Sequence, residues 1–515
     1  MIQLTLPCRA LWVSLCLVLA VTAHADSPPN IVIIMADDLG QGDIGYYHRA
    51  RTGESPFVET PYMDALATEG MRFTDGHSST ALCSPTRYCA MTGNLNHRSV
   101  APWGVWSSFR KTPITESDAT LGRVAQQAGL TSGFIGKYHL GGDFMNAAGT
   151  EVYRGANHKA RPDQVDVSRL VGSGPQQIGF DYSFTMPAGI QGPLYTAYEN
   201  GAWYPFSPDS KLIYLDKDSA LDPAFVSDKG PGVGDSHWDT RQVGPMLAEK
   251  AAAFINTQAE AGEPFLLCFW SPMVHIPHLP PDEFNGRPIA GQGPTPHLDV
   301  IADLDQQVGA IIEALKAQGI YDNTLIFLLS DNGGLLDGKA QKLGHDSSNG
   351  WRGSKNLAHE GGHRVPFFAV WPGEIEPDTE SAQPAADRDL VATVADVLGQ
   401  TLREDQAMDS LSLLPILQGE AEDDLDRFLP LQGGSRHELI YRKGPWKLII
   451  DSNHPQTEFN PVALFNLEEN PLELEEQNLV NDPAHAEPAK AIFDEHLRWR
   501  SSGERSTPPM SSDVN

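Results

Sequence analysis

The chain has 515 residues, enough for a large buried core and two structural units. Its 67 acidic residues against 37 basic ones give a formal net charge of −30 at pH 7, which argues against nucleic acid as a partner. Acidity on this scale serves solubility and leaves any anion site to be built from locally placed cations.

The first 25 residues read as a secretory signal: Arg9 precedes the apolar run Leu11 to Val21, and Ala23-His24-Ala25 offers small residues for cleavage after Ala25. That run is too short to cross a bilayer, and no later stretch is long and apolar enough. The mature chain is therefore expected in the periplasm or outside the cell, with no membrane attachment. Cys8 and Cys16 leave with the signal, so Cys83, Cys89 and Cys268 remain, too few for a disulfide framework. Should Cys83 be chemically altered, Cys89 and Cys268 either pair or stay as buried thiols.

After the signal, Asn30-Ile31-Val32-Ile33-Ile34-Met35 has the unbroken apolar character of a strand buried on both faces, and it runs into Asp37-Asp38-Leu39-Gly40. Two carboxylates at a buried strand end are costly unless a cation or hydrogen bonds compensate them. Pro61 to Glu69 reads as a short helix closed by Gly70, with a strand starting at Met71. Next comes Cys83-Ser84-Pro85-Thr86-Arg87-Tyr88-Cys89-Ala90-Met91-Thr92-Gly93. It sets a soft nucleophile beside a restricted turn at Pro85 and a guanidinium able to hold an oxyanion, on a short helix stopped by Gly93.

Thr120 to Ala128 predicts a helix leading into the strand Ser132-Gly133-Phe134-Ile135, which ends in Gly136-Lys137-Tyr138-His139-Leu140-Gly141. Lys137 and His139, two apart at a strand end, can both donate to one anion. Met145 to Asp239 is poorly patterned and rich in Gly, Pro, Tyr and Asp, as expected of loops over a site. Its neighbourhood holds Trp103, Trp106, Tyr195, Trp203 and Tyr204, which either stack on sugar rings or, more ordinarily, pack in core and loops. A helix over Val243 to Glu260 precedes the strand Pro264 to Phe269, followed by Pro272-Met273-Val274-His275-Ile276-Pro277-His278, where His278 either contacts a ligand or caps the loop.

Ile301, Leu304, Val308, Ile311, Ile312 and Leu315 mark one face of a long helix ending at Gly319. Thr324 to Leu329 is a second buried strand, and it delivers Ser330-Asp331-Asn332-Gly333-Gly334. Two core strands bringing Asp37, Asp38, Asp331 and Asn332 to one sheet edge build an all-oxygen site, suited to a hard cation rather than to zinc. Gly350-Trp351-Arg352-Gly353-Ser354-Lys355 and His359-Glu360-Gly361-Gly362-His363-Arg364-Val365-Pro366 follow, glycine-rich enough for backbone to approach an anion. Arg352 and Arg364 are read as braces of these loops. Past Thr401 a hairpin over Leu439 to Ile450, a strand at Ala463 to Leu467, a helix over Pro488 to Arg500 and a disordered tail beyond Ser501 are expected. The alternation implies an α/β fold: a large doubly wound mixed sheet flanked by helices, with a smaller C-terminal α+β domain carrying an antiparallel sheet.

The Cys83 segment resembles the signature of the type I sulfatases, the formylglycine-dependent branch of the alkaline phosphatase superfamily. Cys83, Pro85, Arg87, Thr92 and Gly93 agree with it, while Thr86 and Met91 replace the usual Ser and Leu. Gly136 to Gly141 resembles the family's Gly-Lys-Trp-His-Leu-Gly, with Tyr138 for Trp. His275 takes the histidine's place in a version of Ala-Pro-His-x-Pro that has Val274 for the preceding Pro. Lys355 carries the matched lysine of Leu-Arg-Gly-Gly-Lys across a change to Ser354, and Asp409 to Pro415 matches a common segment near the family's domain junction.

The resemblance implies a signal over 1–25, a catalytic α/β domain over 26–400 and a smaller α+β domain over 401–515. It implies Asp37, Asp38, Asp331, Asn332 and the modified Cys83 as ligands of Ca²⁺, with Mg²⁺ second, and Cys83 converted to formylglycine (3-oxoalanine) by a sulfatase-maturing enzyme. Cys83, Arg87, Lys137, His139, His275 and Lys355 then form the catalytic set. The expected activity is hydrolysis of sulfate esters on a sulfated polysaccharide or oligosaccharide. The alternatives are a phosphonate or phosphate monoester hydrolase of the same superfamily, or a protein that only binds sulfated glycans.

Overall fold

A computed structural model describes residues 28–102, 104–434, 437–453, 456–504 and 506. The expected signal over 1–25, Trp103 and nearly all of the tail beyond Gly503 lie outside the described residues.

The central sheet has ten strands, in chain order β1 (Asn30–Ala36), β2 (Met71–Phe73), β3 (Thr131–Lys137), β4 (Tyr182–Met186), β5 (Ala197–Glu199), β6 (Ala202–Tyr204), β7 (Phe265–Trp270), β8 (Thr324–Ser330), β9 (Phe367–Val370) and β10 (Thr379–Ser381). Their order across the sheet is β10-β2-β9-β8-β1-β7-β3-β4-β5-β6. The middle five strands are parallel, and antiparallel pairs at β8/β9, β9/β2, β4/β5 and β5/β6 make the whole mixed.

Every residue of β1 is buried, and its side chains divide between two cores. Ile31, Ile33 and Met35 pack on one face against the helices α2 (Cys83–Thr92), α3 (Leu121–Gln127) and α6 (Asp389–Val397). Val32 and Ile34 face the opposite core, built with α1 (Pro61–Glu69), α4 (Val243–Ala261) and α5 (Pro296–Ala317). A strand with apolar residues on both faces can only sit between two helical layers, which is why the run reads without alternation.

A second sheet of four antiparallel strands, β11 (Leu429–Gln432), β12 (Glu438–Lys443), β13 (Trp446–Ser452) and β14 (Phe459–Asn466), is covered by α7 (Ala486–Ser502). Its hairpin turns at Gly444-Pro445 as expected. This sheet is sewn to the segment that precedes α2: Ala81 N donates to Gln432 O at 2.8 Å, and Thr80 bridges Gln432 in parallel. Ions join the two parts as well, since Lys447 Nζ lies 2.9 Å from Glu360 Oε1 and 2.8 Å from Glu473 Oε1. Cys83, Cys89 and Cys268 are all free and buried, so the two thiols do not pair. Among the described residues no helix is long and apolar enough to cross a membrane.

Candidate active site

Register places the site. Ala36 is level with Ser330, Met35 with Trp270, and Trp270 with Gly136, so the residues that follow β1, β8, β7 and β3 leave the sheet at one edge. Asp37 and Asp38 leave from β1, Asp331 and Asn332 from β8, Lys137 and His139 from β3, and His275 from the loop after β7. Gly136 has φ +117° and approaches so closely that a Cβ there would lie 2.0 Å from Trp270 O, so only glycine fits. Asp38 and His139 hold φ values of 64° and 55°, the left-handed region that costs a non-glycine residue energy and is typically kept where a side chain must be aimed.

Three buried oxygens in this cluster, Asp37 Oδ1, Asp38 Oδ2 and Asn332 Oδ1, accept no hydrogen bond. The other oxygen of each Asp is taken by a cation: Lys137 Nζ is 2.5 Å from Asp37 Oδ2, and Lys355 Nζ is 2.5 Å from Asp38 Oδ1. Asn332 Nδ2 donates to Asp38 Oδ1 at 2.8 Å, which aims its carbonyl oxygen the other way. Arg87 binds Asp331 Oδ2 through Nε at 3.0 Å and Nη2 at 2.7 Å. Burial and the neighbouring Asp37 push the Asp331 carboxyl up to about 7, against Arg87 and Lys137. Aimed oxygens without protein partners, beside the buried Asp331 carboxyl, are a donor set of the kind that suits a hard divalent cation.

Cys83 opens α2 at the mouth of this cradle, with Sγ 3.4 Å from His139 Nδ1. Burial raises its thiol pKa, with Lys137 and Lys355 opposing. His139 is held well below the usual imidazole range by burial and then by Lys137 and Arg87. His275 Nδ1 donates to Ile276 O at 2.7 Å, so Nε2 is the ring nitrogen turned to the site, 3.7 Å from Asp38 Oδ2. Burial lowers the His275 pKa and Asp38 opposes this. Lys355 is held above its ordinary range by Asp38, burial notwithstanding. The loop of His275 is tied to the turn after β1 by Asp37 N to Met273 O at 2.8 Å and Val274 N to Asp37 O at 2.6 Å.

All ten candidate residues thus meet at one place. Arg352 and Arg364 brace loops as expected: Arg352 reaches Glu473 O, and Arg364 Nη1 lies 2.8 Å from Glu360. Over Cys83 opens a cavity of 440 Å³ whose lining includes Asn157, His158, Gln191, Lys229 and Asn356. The long irregular region does form its wall, yet these residues stand in no recognisable spacing. Of the aromatics weighed for stacking, Trp106 and Tyr195 are buried in core clusters, and Trp203 and Tyr204 are half-buried against them. Ser84, which the motif presents only as the residue before Pro85, holds the His139 turn on α2: its Oγ donates to His139 O at 2.8 Å and accepts from Trp106 N at 3.0 Å.

The chain belongs to the sulfatase family, sulfuric ester hydrolases, whose sequence model, described as Sulfatase, matches residues 29–400. It is a type I sulfatase of the alkaline phosphatase superfamily. The chain is 29% identical over 468 residues to N-acetylgalactosamine-6-O-sulfatase of Bacteroides thetaiotaomicron, covering 84% of each chain. It is 31% identical over 410 residues to N-acetylgalactosamine-6-sulfatase of Rattus norvegicus, covering 78% of this chain and 68% of that one. A structure solved in connection with the metabolism of multiple glycosaminoglycans by Bacteroides thetaiotaomicron superposes with a TM-score of 0.76 at 26% identity, over 92% of this chain and 100% of that one.

Proposed function

We propose that the chain removes sulfate from a sulfated amino sugar of a glycosaminoglycan-like polysaccharide or oligosaccharide, outside the cytoplasm, through residue 83 and a bound Ca²⁺. The observation that carries this is the placement of Cys83 Sγ against His139, at the foot of a pocket floored by two lysine-held aspartates. The 6-sulfated N-acetylgalactosamine named for two relatives sets the choice of sugar. The division of the chain near residue 400 into a catalytic and a smaller unit belongs to this reading.

Asp37, Asp38, Asp331 and Asn332 would hold the cation, which when bound supplies charge to lower the pKa of the group at position 83 and to fix a sulfate oxygen. Oxidised by a maturing enzyme to formylglycine and hydrated, residue 83 would supply two hydroxyls, one to take the sulfuryl group and one to expel sulfate with return of the aldehyde. Arg87 holds Asp331 in place through two hydrogen bonds to Oδ2 and opposes the upward pull of burial on its carboxyl. Lys137 and Lys355 present positive charge to the sulfate oxygens. His275, with Nε2 open to the pocket, and Lys355 are placed to protonate the departing sugar oxygen, and His139 to take the proton from the group at 83.

The test is release of inorganic sulfate from N-acetylgalactosamine 6-sulfate, its 4-sulfate isomer and N-acetylglucosamine 6-sulfate, with nitrophenyl sulfate and nitrophenyl phosphate in parallel. Mass spectrometry of the peptide carrying residue 83 accompanies it. Preference for the 6-sulfated galactosamine and an aldehyde at 83 are expected. Turnover of the phosphate alone, or full turnover with an intact thiol, would refute the reading.

A further inference from the structure

A second cluster of ligand-type side chains lies behind the turn that follows Asp38. Asp43 sits on the short turn Gln41–Asp43, His297 is the second residue of α5, and His345 belongs to the loop after β8. Three segments distant in sequence thus bring two imidazoles and a carboxylate together, and Asp43, His297 and His345 are 1%, 1% and 4% exposed. His345 Nε2 is 2.8 Å from Asp43 Oδ1, His297 Nε2 is 3.6 Å from the same oxygen, and the three ligand atoms all lie within 4.8 Å of one another.

The simplest account is an aspartate accepting from two histidines. It fails at His297, whose Nε2 is buried, aims at the cluster and makes no hydrogen bond. At 3.6 Å it is too far from Asp43 to bond but well spaced for sharing an ion, since ligand atoms about 2.0 Å from a tetrahedral centre stand about 3.3 Å apart. The surroundings are those of a ligand set. His297 Nδ1 stands 3.4 Å from His278 Nε2, a partner able to orient the ring and fix its tautomer. Asp43 Oδ2 accepts from Gly40 N at 2.8 Å, leaving Oδ1 for the cluster. The turn is clamped on the third segment, with Gly42 N donating to Ser347 O at 3.0 Å.

We propose that Asp43, His297 and His345 bind a zinc-class divalent cation, separate from the cation of the active site. Two nitrogens and one oxygen suit a borderline late first-row metal, whereas the oxygen cradle of Asp37, Asp38, Asp331 and Asn332 suits a hard one. The ion acts as a structural staple. It fastens the turn after Asp37-Asp38 to α5 and to the loop before Lys355, and it converts a long side-chain gap into bonds.

The full chain, purified without a histidine tag, is stripped with a chelator and titrated with Zn²⁺ in the presence of Ca²⁺. One equivalent bound with a Kd below about 1 μM is expected. X-ray absorption at the zinc edge should show two imidazoles and oxygen, and His297→Asn should lose that equivalent while keeping its Ca²⁺. No zinc uptake by the folded parent, an all-oxygen zinc shell, or undiminished uptake by a folded His297→Asn overturns the proposal. If the variant does not fold, the absorption spectrum of the parent decides.

Discussion

Arg87 Nη2 stands 2.7 Å from Asp331 Oδ2 and 3.5 Å from Asp37 Oδ2, so one fully buried guanidinium joins the ends of two neighbouring strands. Its Nη1 donates to Lys137 O at 2.8 Å and so reaches a third. Arg87→Met leaves Asp331 without its bidentate partner in a dry site. Removing one member of a buried pair costs about 3–5 kcal/mol. Chemical denaturation in the presence of chelator, where no cation compensates, should show a loss of that order, and Ca²⁺ should bind more weakly.

Cys83→Ser retains a hydroxyl where the formylglycine hydrate has two. The variant should accept sulfate once and release it slowly or not at all. A single-turnover burst of desulfated sugar, with steady-state release of inorganic sulfate down at least about a thousandfold, is expected when both products are followed against time.

Lys355→Ala removes the ammonium held 2.5 Å from Asp38 Oδ1. The change takes a positive charge from the developing transition state and leaves Asp38 undercompensated. Turnover should fall about 10²–10³-fold. The parallel Lys137→Ala should behave alike, because Lys137 stands to Asp37 as Lys355 stands to Asp38.

Chelation should act on stability as well as on turnover. The three oxygens have no protein partner and are free to ligate an ion, so Ca²⁺ at a hundred times its Kd should stabilise the chain by about 2.7 kcal/mol. Thermal melts with and without excess Ca²⁺ measure this.

A separate pH effect comes from the inner face of α5. Burial pushes the Asp303 carboxyl up to about 7 and that of Asp305 up to about 8, against about 3.9 in an unfolded chain. An acid raised in this way favours the fold while protonated. Its contribution is complete below pH 4 and is lost as the pH climbs through 7. Asp303→Asn should therefore melt higher than the parent at pH 8, by no more than about 4 kcal/mol, with the gain vanishing near pH 4.

What the sequence revealed follows from how each part is encoded. Asp37, Asp38, Asp331 and Asn332 were legible because unbroken apolar strands run straight into them, and a buried strand end dictates which atoms meet. Lys137, His139 and Lys355 were legible through short motifs on tight, glycine-bounded turns. Asn157, His158, Gln191 and Lys229 were not, because irregular chain has no periodicity to show which residues face a cavity. Asp43, His297 and His345 escaped for another reason: they lie one each on three segments, and α5 read only as an apolar stripe. His278, weighed between ligand contact and loop cap, instead lies beside His297.

The position of β1 also bears on how the chain reaches this state. Its partners β7 and β8 begin at Phe265 and Thr324, so the strand made first waits longest for neighbours. At synthesis rates of about 5–20 residues per second, that delay is roughly ten seconds to a minute. Through that interval an uncharged seven-residue strand with the β-branched run Ile31 to Ile34 at its centre lies open to association with other copies. A holding chaperone during biogenesis should therefore raise the yield of active protein more than any change at the pocket.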